Sequence, residues 1–177
     1  MRFALTDEIA WPLELVYDTH RDKLEEILDY LPNVENIEIL EKQVEGEVTR
    51  FVKRWTGSSN DIPSVLRPVV KPEYLQWIDR ATWDRGAFTT AWELELDFLK
   101  GAMSARGLNR FIADGDITII EMEGEFNIHP ERLSLVPGPI ARKAAPALER
   151  FVVELVKPNL RGTNQAVERF IEERHGH

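Results

Sequence analysis

Two hydrophobic periodicities divide the chain. The stretch from Arg2 to Ile9 reads as a strand, after which Trp11-Pro12 opens a short helix with proline at a tolerated first-turn position. Thr19 reads as the N-cap of a second helix, whose Leu24, Ile27, Leu28 and Leu31 fall at helical spacing and which Pro32 stops. From Val34 the period shifts towards two. Glu45-Gly46 separates strands at about 35–43 and 47–56, and four more follow at about 74–84, 87–98, 102–113 and 116–128. The long connection SSNDIPSVLRPVVKPE between them carries Val65, Leu66, Val69 and Val70 on one side, which predicts a mobile lid over 58–73. A proline-rich link leads into a helix at about 141–174 that presents Ala144, Ala147, Leu148, Phe151, Leu155 and Ala166 to the sheet and is interrupted by Pro158.

The hairpins can be tested against one another. Two-residue turns at Lys100-Gly101 and Asp114-Gly115 pair Leu94 with Gly107, and Gly107 with Met122. One face then collects Phe88, Thr90, Trp92, Leu94 and Leu96, then Ala105, Gly107, Asn109 and Phe111, then Thr118, Ile120, Met122, Gly124 and Phe126. The other collects Glu93, Glu95, Arg106, Arg110, Glu121 and Glu123, with Arg106 expected between Glu95 and Glu123. A sheet with one apolar and one charged face has one wet side. A turn near Arg85-Gly86 adds Leu75, Trp77, Asp79, Ala81 and Trp83 to the apolar face. Strands 35–43 and 47–56 leave the choice open: Phe51 and Trp55 favour one face, Val48 and Val52 the other.

The segments WPLELVYDTHRDKLEEILDYLPNVENIEILE, GEVTRFVKRW and ALERFVVELVKPNLRGTNQAVERFIEE, in this order, resemble the helix-grip fold of the START and birch-pollen-allergen superfamily, also called SRPBCC. The resemblance spans nearly the whole chain and rests on layout and loose apolar motifs; IPSVLRPVVKPEYLQWIDRATWD is similar to uncharacterised bacterial branches. It implies one α+β domain over 1–177, a seven-stranded curved antiparallel sheet wrapped around a long C-terminal helix, with two short helices between the first and second strands. Such proteins commonly bind lipids, sterols or polyketides between sheet and helix; some resemble cyclases or dehydratases, and others chaperone activators.

Composition narrows the chemistry. The chain has no cysteine, so no disulfide framework, thiolate zinc site or thiol nucleophile, which suits a reducing, cytoplasmic setting. Its net charge of -9 and lack of a basic stripe argue against nucleic acid and anionic lipid surfaces. The N-terminus does not read as a signal peptide, and no apolar run is long enough to span a bilayer, so no integral membrane association is expected. His20, His129, His175 and His177 lack metal-ligand spacing, no serine or lysine sits in a nucleophile motif, and no cofactor is implied. Oligomeric state is not readable.

Small residues beside large ones on the inner face, such as Gly107 and Gly124 beside Leu94 and Met122, leave either a void or merely a bend. The expected ligand wall is Trp77, Asp79, Trp92, Leu94, Asn109, Phe111, Ile120, Met122, Phe151 and Leu155. Asp79 stands out, because a carboxylate among tryptophans is costly unless something bonds it. Three roles are open: pairing with Trp92, Asn109 or Lys53; anchoring the polar end of a ligand; or acting as an acid of raised pKa. The reading adopted is a noncatalytic binder or carrier of a small hydrophobic ligand. The alternatives are a cyclase or dehydratase using Asp79, Asn109 and Tyr17, and a protein-binding module.

Overall fold

The computed structural model describes residues 1–58, 75–97, 100–129, 132, 146, 150 and 160–176. The expected lid beyond Ser58, Pro158, and the candidate liners Phe151 and Leu155 lie outside the described residues. Seven strands form one sheet in the order β1-β7-β6-β5-β4-β3-β2, every neighbouring pair antiparallel. They are β1 Arg2–Ile9, β2 Val34–Glu45, β3 Val48–Gly57, β4 Gln76–Asp84, β5 Thr89–Leu96, β6 Met103–Asp114 and β7 Ile117–Ile128. Only β1 departs from sequence neighbours, crossing to pair with β7. Helix α1, Leu13–Asp22, and a C-terminal helix α2 over 160–175 pack on the inner face.

The link between β1 and β2 holds one α-helix, not two. Pro12 caps α1, and Thr19 lies inside it with its hydroxyl donating back to the Leu15 carbonyl at 2.7 Å. Once the helix ends at Asp22, too few residues remain before Pro32, which disfavours helical backbone at Leu31. The expected second helix therefore shrinks to turns and a 3-10 segment, Leu28–Tyr30, while Leu24, Ile27 and Leu31 still bury.

All three hairpins keep the expected faces but pair two residues away from the expected register. Leu94 opposes Ala105, Gly107 opposes Gly124, and Asp79 opposes Leu94 rather than Trp92. The tight turn lies at Gly115-Asp116, with Gly115 at φ +62 in the first central position, as in a type II′ turn. A shift of two preserves face and changes partners. Arg106 accordingly sits between Glu93 and Glu125.

The open choice on β3 resolves towards Phe51 and Trp55, and it carries Lys53 with them. Thr49, Phe51, Lys53 and Trp55 all bury on the inner face, opposite Trp83, Ala81, Asp79 and Trp77. The small residues of β6 and β7 do not leave a void. A Cβ at Gly107 would lie 2.1 Å from Trp92 Cζ2 and 2.4 Å from the Glu123 carbonyl, and one at Gly124 2.3 Å from Phe3 Cε1. Glycine lets the Trp92 ring lie flat across two strands and stack on Phe3, centroids 6.4 Å apart. The outermost strand β2 is irregular, with register breaks between Val34 and Asn36 and between Ile39 and Glu41.

Candidate functional site

The inner face is organised in cross-strand rows. One row runs Thr49, Trp83, Thr90, Asn109 and Met122; the next runs Phe51, Ala81, Trp92, Gly107 and Gly124; a third begins Lys53, Asp79, Leu94 and Ala105. Between these rows and α2 lies a cavity of about 140 Å³. Trp55, Trp77, Trp83 and Trp92 form its walls, Leu94, Leu96, Met122 and Leu160 its remaining apolar surface, and His20, Asp79, Thr90, Asn109 and Asn164 its polar points. Of the ten residues expected from sequence, Trp77, Asp79, Trp92, Leu94, Asn109 and Met122 meet here. Phe111 and Ile120 lie in the packed core instead: Phe111 is spent edge-on against Tyr17 and His20, and Ile120 is fully buried. Tyr17 is structural as well, its hydroxyl donating to the Thr89 carbonyl at 3.2 Å and its ring packed on Trp83 and Phe88.

Asp79 and Lys53 face each other across β3 and β4. Lys53 is 2% exposed, its Nζ 4.2 Å from the Phe51 ring centroid. Burial pulls its pKa down to about 8, against the opposing pull of Asp79. Burial likewise pushes Asp79 up to about 6, while the Lys53 ammonium and the Trp55 indole N–H favour the carboxylate. Asp79 is half-buried and lines the cavity. Of the partners considered from sequence, Lys53 is the one whose charge acts on Asp79. Trp92 pairs elsewhere, its Nε1 donating to Asn109 Oδ1 at 3.0 Å.

At the other end a hydrogen-bonded chain joins three elements. His20 on α1 reaches the Val16 carbonyl through Nδ1 and Asn164 Oδ1 on α2 through Nε2, both at 3.0 Å. Asn164 Nδ2 donates to Asp7 Oδ2 on β1 at 3.0 Å. Two acceptors thus face one imidazole, which only the imidazolium would satisfy fully, while burial pulls the His20 pKa below its usual value. Sequence reasoning set His20 aside for lack of metal spacing. Its helical offset from Val16 and Tyr17 is the signal that it buries. Thr90 and Trp83 gave no signal of a site beyond their place on the inner face, and Asn164 gave none at all.

Among the described residues, three side-chain polar atoms are buried without a fully formed hydrogen bond: Trp55 Nε1, Trp83 Nε1 and Thr90 Oγ1. All three residues line the cavity. A larger concavity of about 1020 Å³ lies on the outer face, among Arg2, Arg50, Arg80, Arg106, Glu93 and Glu125. It is a trough of mixed charge, whereas the inner cavity is walled mainly by tryptophans and other apolar side chains, the usual character of a small-molecule site. Among the described residues no group of three or more metal-ligating side chains occurs, and no helix is long and apolar enough to cross a membrane.

No family model matches the sequence, and no curated protein matches it significantly. Solved structures do match. The Zhui aromatase/cyclase from Streptomyces sp. R1128 superposes with TM-score 0.68 at 19% identity, covering 98% of this chain and 94% of that one. The norcoclaurine synthase of Thalictrum flavum gives 0.62 at 16%, covering 98% and 87%. TTHA0849 from Thermus thermophilus gives 0.62 at 21%, covering 94% and 97%. This chain has the helix-grip fold. In helix-grip terms, the cavity occupies the space between the gripping sheet and the gripped helix α2.

Proposed function

We propose that this protein binds a small, largely apolar molecule in the cavity between the sheet and α2, as a carrier or sensor. One observation carries the reading: a cavity walled by four tryptophans, with only a few polar points, lies between the sheet and α2. A concave, mostly apolar surface with a few placed polar groups is the usual character of a small-molecule site. The cavity volume of about 140 Å³ favours a molecule of one ring or a short chain over a sterol. An engineered cavity of about 150 Å³ takes benzene, while drug-sized ligands fill roughly 300–1,000 Å³. Native mass spectrometry of freshly purified protein tests this directly. A co-purified small molecule, lost on denaturation, supports it; a protein that arrives bare and binds no small aromatic compound refutes it.

A second reading is an acid–base enzyme, and Asp79 favours it. A carboxyl group titrating near pH 6 on a cavity wall can both give and take a proton near neutrality. The names of two structural neighbours, an aromatase/cyclase and a synthase, lend support. Under this reading Asp79→Asn abolishes turnover of the bound compound while leaving its affinity within a few-fold. Under the carrier reading nothing is turned over, and the same change weakens retention by ~1–3 kcal/mol, the usual cost of one lost buried polar contact.

A further inference from the structure

Of the four tryptophans that wall the cavity, three lean on other side chains. Trp55 and Trp77 stack on each other with centroids 5.7 Å apart, and Trp83 packs against Tyr17 and Phe111. Trp92 lies mainly across backbone. A Cβ placed on Gly107 would come 2.1 Å from its Cζ2, and one on Gly124 would come 3.1 Å from its Cη2. Trp92 opposes Gly107 across β5 and β6, and Gly107 opposes Gly124 across β6 and β7, so the indole covers two positions of one row that carry no side chain. Its N–H, donated to Asn109 Oδ1 at 3.0 Å, and its stack on Phe3 hold it there. Phe3 is held in turn by Phe126, their rings 5.1 Å apart and 12° from parallel.

Resting on the cavity as the ligand site, we infer that Trp92 sets the size of the ligand: its indole fills an extension of the cavity floored by glycine backbone, and so limits the occupant to a single ring. The volume of about 140 Å³ is what remains with the indole in place. An indole is itself two fused rings, and Trp92 lines the cavity, so removing it joins a space of that size to the existing one. Around Trp55, Trp77 and Trp83, neighbouring side chains stand ready to close over such a gap. Over Gly107 and Gly124 the floor is backbone paired in two ladders, which relaxes into a gap far less readily. A two-ring hydrocarbon offers more apolar surface than a one-ring one and binds more tightly wherever it fits. Weaker binding of the larger molecule is therefore the signature of a size limit.

Toluene and naphthalene, titrated into the protein and followed by the indole N–H resonances in nitrogen-15 NMR, test the limit. Wild type is expected to bind toluene, and to bind naphthalene roughly tenfold more weakly, because extra atoms are forced into a packed site. Trp92→Leu clears the glycine bed and is expected to reverse the order, with naphthalene roughly tenfold the tighter. Trp92→Phe, which keeps one ring over the glycines, falls between the two and decides the matter should the leucine variant fold poorly. Trp83→Phe removes the same bulk from a wall of side chains and is expected to keep the wild-type order. Naphthalene binding wild type as tightly as toluene, an unchanged order in a folded Trp92 variant, or as large a change in Trp83→Phe as in Trp92→Phe overturns the role of Trp92 while leaving an apolar binding cavity. Failure of both compounds to bind wild type or any variant overturns that role and the cavity reading together.

Discussion

Replacing Lys53 with methionine isolates the energetics of the buried pair. The ammonium is 2% exposed and titrates near 8 rather than 10.5. That difference corresponds to roughly 3 kcal/mol of folding free energy lost at neutral pH by keeping the charge buried. That figure is already net of the attraction to Asp79. Directly opposed side chains have Cβ atoms about 5 Å apart, and charges about 6 Å apart at an effective dielectric near 20 attract by about 3 kcal/mol, or about two pH units. Without Lys53, the Asp79 midpoint should climb from about 6 by one to two units, so that the carboxyl is largely protonated at pH 7. Because Asp79 can shed its charge in this way, the usual penalty of about 3–5 kcal/mol for a buried charge stripped of its partner is avoided. The expected net result for Lys53→Met is a gain of about 1–3 kcal/mol at pH 7. Carbon-13 NMR of the Asp79 carboxyl across pH 4–9 and chemical denaturation at pH 7 measure the two quantities. An unmoved midpoint would show that the two groups do not feel each other. A loss of several kcal/mol would show that Asp79 keeps its charge without compensation, and either outcome refutes the argument.

Gly107→Ala should destabilise the fold by about 1–3 kcal/mol, the usual cost of overpacking, because the added methyl meets both the Trp92 ring and the immovable Glu123 carbonyl; a thermal melt within a degree of wild type would contradict this. His20 binds its proton less readily in the folded chain than in the unfolded one, so its contribution to stability is complete above about pH 6.5 and is lost progressively as the pH falls below that value towards the lower midpoint of the folded state. Asp79 works in the opposite sense, gaining stability as the pH drops from about 6 towards 4. The difference between wild type and His20→Gln in denaturant midpoint, at pH 5 against pH 7.5, isolates the histidine: wild type should lose more on acidification. Asn164→Leu, which cuts the chain from His20 to Asp7, should loosen α2 from α1 and speed amide exchange in 160–171 more than in β5.

The faces of β4 to β7 were legible because side chains alternate with a period of two, so any even error in turn placement leaves them intact. The partners were not legible, because they depend on loop geometry. The β4–β5 connection occupies the four positions 85–88, with Phe88 at φ 49, where a two-residue turn seemed sufficient. That one slip gave Asp79 Leu94 in place of Trp92 as its cross-strand neighbour. β3 resisted because Lys53 is a charged residue on an apolar face, and only the placement of Asp79 opposite makes that tenable. Alternation puts Gly107 and Gly124 on the inner face but says nothing of a tryptophan lying across them. The cavity's polar points were only half legible. Asp79 announces itself among aromatics, while Thr90 and Asn164 become notable only once their neighbours are known.

The breaks in β2 matter beyond this sheet's own pairing. An outermost strand of twelve residues, with Ile39, Leu40 and Val44 between 37% and 63% exposed, is the kind of surface on which a second chain could continue the ladder and start a precipitate. Two register breaks spoil the even spacing that such a template needs, and Glu35, Glu38, Glu41 and Glu45 would confront the same charges on any identical newcomer. The irregular edge thus works as a guard against self-association, and a variant that straightened β2 and neutralised those four acids would be expected to foul a concentrated solution long before it lost its fold.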